Sequence, residues 1–481
     1  MDKGQSYNTK PYVLPTETSD MLSDAQIPII YHDEMKETEG KLRVLSLFSG
    51  CGGMDLGFEG SFIAHRKSFP PQSLYIDHSV NKDWVMLKKT SFKTVFANDI
   101  LKEAEAAWTT YMSRFGYTPE MYHNISIVEL VKMQREGADI FPHDIDVVTG
   151  GFPCQDFSVA GKRKGFDSDK DDYGKKRESE EPSEETRGKL YYWMKQVIDI
   201  VKPKIFVAEN VKGLANLGDV KDIIQRDFAS ADGNGYIVLP PQILHAGNYG
   251  VPESRERVIF IGIRKDALCT EALKALTSDN IPEEYNPYPK PTHAATATGE
   301  HLMPIVTTQD VLANLKEPSE SMDESQQVYS KAKYLTTGQG QTEIKLDSLG
   351  PTIRSEHHGN IEFRRLSKEH GGKHEEELQA GLTERRLTPR ECALIQTFPP
   401  DYRFVMKSTY GRGYILSSSG AYKVIGNAVP PVLAFNIAMR LQEVWDIYFK
   451  KPITQKAYEQ SSRKHNSNSQ KRHQQSQRSF C

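Results

Sequence analysis

The sequence predicts a doubly wound α/β fold, a Rossmann-like sheet with a smaller, irregular second domain. Short β-branched runs recur along the first half of the chain at Leu42 to Phe48, Lys93 to Ala97, Asp144 to Thr149, Ile205 to Ala208 and Val258 to Ile263. Helical patterns such as Leu101 to Phe115 and Leu190 to Val201 lie between some of them, and such alternation builds a mostly parallel sheet. From about Lys265 to Ala380 the periodicity fades into Pro, Gly, Thr, Ser and His, which marks the change of domain.

Taken in order, the chain divides into five stretches. Residues 1–40 carry eight acids against three lysines without periodicity and read as a flexible arm. Residues 41–264 hold the strand-helix alternation, 265–420 the irregular part, and 421–450 a second structured segment. Residues 451–481 are rich in Gln, Ser and Asn with scattered bases, a solvated tail. Composition excludes several classes. At 481 residues, 38% hydrophobic and 26% charged, the chain is globular, and its richest apolar runs are strand-sized, so no membrane span or secretory signal is expected. Five scattered cysteines show no metal-ligand spacing, and no metal is expected. They suit a reducing interior. A net charge of -3 confines any nucleic-acid site to a local patch.

The first strand empties into Phe48-Ser49-Gly50-Cys51-Gly52-Gly53-Met54-Asp55-Leu56-Gly57. Glycines after a first strand permit a tight turn and close approach of backbone to a ligand. The spacing is not the dinucleotide fingerprint, and no phosphate loop of the nucleotide hydrolases occurs. A ribose-binding cofactor needs an acid at the end of the next strand. Asp99 ends the next convincing strand, which makes Ser61 to Phe92 an insertion; Asp77 suits the usual spacing better but lies in a poorly patterned stretch.

Two further strand exits carry chemistry. Gly150-Gly151-Phe152-Pro153-Cys154-Gln155-Asp156-Phe157-Ser158 puts a cysteine where open α/β sheets place their ligands. Glu209-Asn210-Val211 repeats the geometry after Ile205 to Ala208. Singly, these are a packed cysteine and a solvated acid; together they suggest a nucleophile and an acid.

These motifs, with Arg187-Gly188-x-Leu190, Arg255-x-Arg257, the stretch Arg385 to Pro399 and Gly426-Asn427-Ala428-Val429-Pro430, resemble in kind and order the DNA (cytosine-5) methyltransferases of bacterial restriction-modification systems. The resemblance spans roughly Leu42 to Glu443. It implies methyl transfer from S-adenosylmethionine to carbon 5 of a cytosine flipped out of double-stranded DNA. By resemblance, Cys154 adds to carbon 6 so that carbon 5 becomes nucleophilic. Glu209 holds nitrogen 3 and the exocyclic amine, Arg257 the cytosine carbonyl, and Arg255 supports the site. Phe48, Gly50, Gly52 and Gly53 fall to the methionine part of the cofactor and Asp99 to the ribose, while Asn427 and Val429 join the cofactor site from the far end of the chain, which in the family folds back beside the first strand. Asn124 stands where the family often has an Asp on the adenine. Glu253 stands where Gln is usual.

The span Lys265 to about Glu384 falls where the family keeps its target-recognition loops. Arg354 and Arg364 suit guanines and Asn360 an adenine in the major groove, with phosphate contacts an equal alternative. Lys162, Arg163 and Lys164 suit phosphates. From Asp167 to Glu185 the acids outnumber the bases by nine to four, and Asp169 to Glu185 reads as an expendable bulge on the outer side of the family's mobile loop. The implied setting is the bacterial cytoplasm and its nucleoid, with a monomer paired functionally to a restriction endonuclease. Two rivals stand beside this reading: a tRNA methyltransferase on the same fold, whose Cys-Phe-Thr signature does not occur here, and a catalytically inactive DNA-binding regulator, against which the retention of Cys154, Glu209 and Arg257 argues.

Overall fold

The computed structural model describes residues 40–153, 190–215, 220–296, 302–355, 360–408, 411 and 413–450. Cys154, the basic trio Lys162, Arg163 and Lys164, the acidic stretch after it, and both tails apart from Gly40 lie outside the described residues.

The strands β1 (Leu42–Leu47), β2 (Phe92–Asn98), β3 (Tyr122–His123), β4 (Val147–Gly151), β5 (Ile205–Val211), β6 (Tyr236–Val238), β7 (Gln242–His245) and β8 (Glu256–Arg264) form one eight-stranded sheet. Its order is β7-β8-β5-β4-β1-β2-β3, and β6 also pairs with β8. The five strands from β5 to β3 run parallel, whereas β8 is antiparallel to β5. The order reverses between β1 and β4. In open α/β sheets that reversal opens a crevice at the carboxyl ends of the two strands. The glycine-rich turn leaves β1 there, and Phe152-Pro153 leaves β4 beside it.

The runs legible in sequence are those buried on both faces, as parallel strands under helices must be. Val44, Leu45, Val147, Val148, the four residues Ile205 to Ala208, and Val258 to Ile261 are all 1% exposed or less. Gly262 lets Phe206 lie across β8; a Cβ there would meet the ring at 2.0 Å.

Three details differ from the expected pattern. The run Asp144 to Thr149 enters the sheet only at Val147, because Asp144 turns with φ 56 and Asp146 is spent on anchoring. The Asp146 carboxylate accepts the Arg43 N–H at 3.0 Å and pairs with Lys204 Nζ at 2.8 Å. The helix expected over Leu101 to Phe115 is regular only over Lys102–Met112 and tightens into a 3₁₀ turn, Ser113–Phe115, closed by Gly116 at φ 75. The span Ser61 to Phe92 folds as a small antiparallel sheet, with Trp84–Leu87 between Ile63–His65 and Ile76–Ser79.

The described chain falls into two compact units. One runs to Asp266 and includes Pro287–Gln442; the other comprises Ala267–Asn286 and the chain from Glu443. In the second, Cys269 N–H donates to the Tyr448 carbonyl at 2.8 Å, and Ala272, Leu276 and Tyr448 are buried.

Within the first unit the irregular stretch is held by charge more than by an apolar stripe, so it shows little periodicity. Arg365 pairs with Glu317 and Glu377, Arg385 with Glu317 and Glu391, and Arg364 with Glu377. The helix Pro389–Ile395 follows with a capping box between Thr388 and Glu391 and Pro389 in its first turn, the sequence signature of a helix start.

Candidate active site

The turn after β1 is built by side chains of the strand and its neighbours. Ser49 Oγ accepts the Asn98 N–H at 3.0 Å, which ties the turn to the end of β2. Asp99 caps it: Oδ2 accepts the Gly50 N–H and Oδ1 the Leu101 N–H, both at 3.0 Å. Asp77 lies instead on the small inserted sheet, paired with His78. Burial pushes the Asp99 carboxyl up, opposed by these backbone donors.

The glycines of the turn do different work. Gly50, at φ 54, has open space where a Cβ would stand. A Cβ on Gly52, at φ 80, would sit 2.7 Å from Trp108 Cδ1, and one on Gly53 would sit 2.2 Å from the Val429 carbonyl oxygen. Gly52 and Gly53 therefore admit protein, and Gly50 faces the opening. Beneath them the Asp55 carboxylate accepts from Ser46 Oγ at 2.5 Å and Trp108 Nε1 at 2.6 Å. Burial pushes Asp55 up to about 6 in spite of these bonds.

Asn124 Nδ2 donates to the Asp99 carbonyl at 3.2 Å, and Asn98 Nδ2 holds the carbonyls of His123 and Ile125 on either side. Asn427 is exposed at the end of the helix Ser418–Asn427, and Val429 is buried against Gly53.

At the carboxyl end of β5, Glu209 pairs with Arg257 of the adjacent β8, Nε to Oε1 at 2.7 Å. Glu209 stands in register with Gly151 of β4, and a Cβ at Gly151 would come within 2.9 Å of Glu209 Oε2. The glycine thus lets the carboxylate lie across the exit of β4. Burial pushes the Glu209 carboxyl up, while Arg257 and Arg255 pull it down. The next residue, Asn210, donates Nδ2 to the Phe152 carbonyl at 3.1 Å, two residues before Cys154.

Arg255 is fully buried and gathers carbonyls from two other segments. Its NH1 donates to Ile353 at 3.0 Å, and its NH2 to Gly426 and Ala428, each at 2.8 Å. Gln396 Nε2 donates to the carbonyls of Ile425 and Ala428 as well. Burial, with Arg257 nearby, pushes the Arg255 guanidinium down to about 10.

The residues expected to read DNA are engaged within the protein. Arg354 NH1 pairs with Glu362 at 2.6 Å and reaches the Asn360 carbonyl at 3.3 Å, with a third of its side chain exposed. Arg364 is 12% exposed and bound to Glu377 at 2.5 Å, a position that holds the irregular stretch together. Among the described residues no group of three or more His, Cys, Asp or Glu is placed to hold a metal. The stretch Ser418–Phe449 is the one long and apolar enough to cross a membrane among them, and 83% of its most apolar window is buried in the protein.

The C-5 cytosine-specific DNA methylase family matches residues 42–443. The chain belongs to this family. The methylase is 32% identical over 422 residues to the Type II methyltransferase M.BsuRI of Bacillus subtilis, covering 86% of this chain and 82% of that one. It is 30% identical to M.BspRI of Lysinibacillus sphaericus, covering 93% and 90%, and 28% identical to M.NgoFVII of Neisseria gonorrhoeae, covering 89% and 93%. It is an S-adenosylmethionine-dependent enzyme that methylates carbon 5 of cytosine in double-stranded DNA, a bacterial cytoplasmic modification methylase in kind.

Asn210 and Asp55 stand within the sequence motifs, and Gln396 within the stretch Arg385 to Pro399, with no role legible there. Asn210 holds the chain before Cys154, Asp55 locks the glycine turn to Ser46 and Trp108, and Gln396 seats Ala428. The signal for Asn210 was its place beside Glu209. Nothing in the sequence marked Trp108, whose ring fills the space beside Gly52.

Proposed function

We propose that Cys154 is the nucleophile and that Glu209, Arg257 and Arg255 form the apparatus that holds the target cytosine. The observation that carries this reading is the Glu209–Arg257 pair, which lies across the exit of the strand that leads into Cys154. Cys51 is a poor candidate for the nucleophile. Its Sγ donates to the Val424 carbonyl at 3.3 Å, and burial pushes the thiol far up, away from the reactive thiolate.

In this reading the Cys154 thiolate adds to carbon 6 of the flipped base, and carbon 5 gains nucleophilic character. Glu209 donates to nitrogen 3 and neutralises the ring as the new bond forms, a role suited to a carboxyl that burial keeps protonated more readily than usual. Arg257 holds the base carbonyl while keeping Glu209 in place. Loss of the carbon 5 proton and departure of the thiolate restore the aromatic ring.

The crevice fits S-adenosylmethionine. Gly50 opens on space that a Cβ would fill, and the Asp99 carboxylate accepts the Gly50 N–H beside it. Phe48, Gly50 and the backbone at Asn427 and Val429 would hold the methionine portion, Asp99 the ribose, and Asn124 the adenine, with Gly52 and Gly53 shaping the turn. The cofactor supplies the methyl group.

Residues 41–264 and 421–450 form the catalytic domain, and 265–420 the target-recognition domain. Lys162, Arg163 and Lys164 bind phosphates. Arg354 and the Asn360 region contact the duplex, and Arg364 fixes the frame behind them. The enzyme acts as a monomer and protects DNA from a partner restriction endonuclease. The test is bisulfite sequencing of plasmid DNA after expression, with trapping on a 5-fluorocytosine duplex. The wild type should give one methylated sequence and an SDS-resistant adduct, and Cys154→Ser neither. An active Cys154→Ser variant overturns the assignment.

A further inference from the structure

The short segment Gly350 to Ile353, which opens the most distinctive part of the irregular stretch, lies alongside Pro252 to Arg255. Gly350 N–H donates to the Pro252 carbonyl at 2.9 Å, and Ser254 N–H to the Gly350 carbonyl at 2.8 Å. Thr352 Oγ1 donates to the Ser254 carbonyl at 2.5 Å. Beyond this point side chains complete the seam. Glu253 Oε1 accepts the Ile353 N–H at 2.7 Å, and Arg255 NH1 donates to the Ile353 carbonyl at 3.0 Å. Glu253 and Arg255 thus take both polar groups of one peptide residue, and they meet each other at 3.4 Å. Both are fully buried.

We propose that Glu253 is a positioning residue through which the target-recognition segment Gly350 to Arg354 sets Arg257 against the base. The chain of contact is short. Ile353 binds Glu253 and Arg255. Arg255 leads in two residues to Arg257, and Arg257 grips Glu209. On the other side Arg354 follows Ile353 directly, and its backbone packs on Gly426, where a Cβ would come within 2.2 Å of it. A shift of this segment on the duplex moves the Ile353 carbonyl that holds Arg255 NH1, and leaves the guanidinium on the Gly426 and Ala428 carbonyls alone. The base-holding pair is therefore complete only when the recognition segment is seated. This rests on the reading that Arg257 and Glu209 hold the cytosine.

The seam needs an acceptor at this place and not a charge. Glu253 Oε2 reaches no hydrogen-bond donor. What the side chain gives to Ile353 is Oε1 alone, which an amide carbonyl supplies equally well. A glutamine at this place keeps the seam, and an alanine breaks it and leaves the Ile353 N–H buried without an acceptor.

The experiment compares Glu253→Ala, Glu253→Gln and Thr352→Val with the wild type. Each is assayed for kcat, for KM of S-adenosylmethionine, and for discrimination between the target duplex and a duplex altered at one base pair. Glu253→Ala should lose at least tenfold in kcat and at least fivefold in discrimination, with KM for the cofactor within twofold. Glu253→Gln should recover kcat to within threefold. Thr352→Val loosens the same seam at a half-buried position and should lose about threefold in both, so it carries the test should the alanine variant fail to fold. Unchanged kcat and discrimination in a folded Glu253→Ala, or in Thr352→Val where that variant is the one that folds, overturns the proposal. Trapping on the 5-fluorocytosine duplex separates the two readings. A wild type that forms no adduct removes the assignment of Cys154. A wild type and a Glu253→Ala enzyme that form it equally fast remove only the role of Glu253.

Discussion

Arg257 and Glu209 meet from antiparallel neighbours in the sheet, Nε to Oε1 at 2.7 Å, each less than a tenth exposed. Two opposite charges out of water at one strand end are costly unless they are paired. Here burial pushes the carboxyl up and the arginine opposes it. Glu209→Gln should lower kcat by roughly 10²- to 10⁴-fold, the usual worth of a positioned acid. The sign of the pH effect follows. A raised carboxyl keeps its proton to higher pH, so the protonated form that serves nitrogen 3 is lost as pH rises through that value. In Arg257→Gln the opposing charge is gone, and the alkaline limb of residual kcat should move to higher pH. A limb that moves to lower pH contradicts the assignment of Glu209 as the proton donor.

Asn210 offers a cleaner probe of the nucleophile. Its Nδ2 holds the Phe152 carbonyl at 3.1 Å, and its Oδ1 accepts the Val211 N–H at 2.8 Å. Asn210→Ala should free the chain just before Cys154 and slow adduct formation by about tenfold to a hundredfold, as small misplacements of reacting groups do. Cofactor binding, measured by titration, should not change. Equal trapping rates would mean that Cys154 is positioned by other contacts.

Asp55 gives a stability effect with a defined window. Burial pushes its carboxyl up to about 6 in the folded protein, from about 4 for an unhindered Asp. A raised value means that its contribution is fully present below pH 4 and is lost as pH rises to about 6, by ~3 kcal/mol at most. Asp55→Asn carries no such titration. The difference in melting temperature, variant minus wild type, should therefore increase between pH 4 and pH 6 and stay level above. A flat difference across that range would mean that Asp55 is ionised at low pH.

The strands that could be seen in the sequence were those whose every residue is buried, such as Ile205 to Ala208 and Val258 to Ile261. Their apolar runs are continuous because both faces are covered. The inserted sheet was invisible for the opposite reason: Asp77, His78 and Ser79 form a strand of exposed polar residues with no alternation to detect. The motifs pointed to the acid and the cysteine at strand exits and, by resemblance, to the two arginines at the start of β8. They did not give what joins them. Arg255 binds carbonyls 98, 171 and 173 residues away, and no local pattern encodes such partners. Arg364 and Arg354 look alike in sequence, and only burial separates a framework ion pair from a half-exposed one.

That separation can be checked. Burial pushes the Glu377 carboxyl up, but Arg364 and Arg365 outweigh it and hold it below the usual carboxylate range. Arg364→Ala should destabilise the protein by about 1–2 kcal/mol, between the values of exposed and buried pairs. It should leave the methylated sequence unchanged by bisulfite analysis. A changed target sequence would make Arg364 a direct reader of bases.

The glycines of the turn after β1 should divide by what faces them. A methyl group on Gly53 would run into the Val429 carbonyl at 2.2 Å and crowd Ala428 and Phe398, so Gly53→Ala must push the returning C-terminal segment aside. Overpacking of this kind costs roughly 1–3 kcal/mol, and the melting temperature should fall by several degrees. Gly50 meets nothing within 4 Å, and its φ of 54 lies in the left-handed region, which costs an alanine about 1–2 kcal/mol. Its methyl group would enter the space assigned to the methionine portion of S-adenosylmethionine. Gly50→Ala should therefore weaken cofactor binding more than tenfold, and Gly53→Ala should weaken it less, even where the two melt alike. Isothermal titration with S-adenosylmethionine and thermal unfolding of both variants decide the matter. If Gly50→Ala binds the cofactor as the wild type does, the opening above Gly50 is not its seat, and the carboxylate of Asp99 beside it loses its assignment to the ribose.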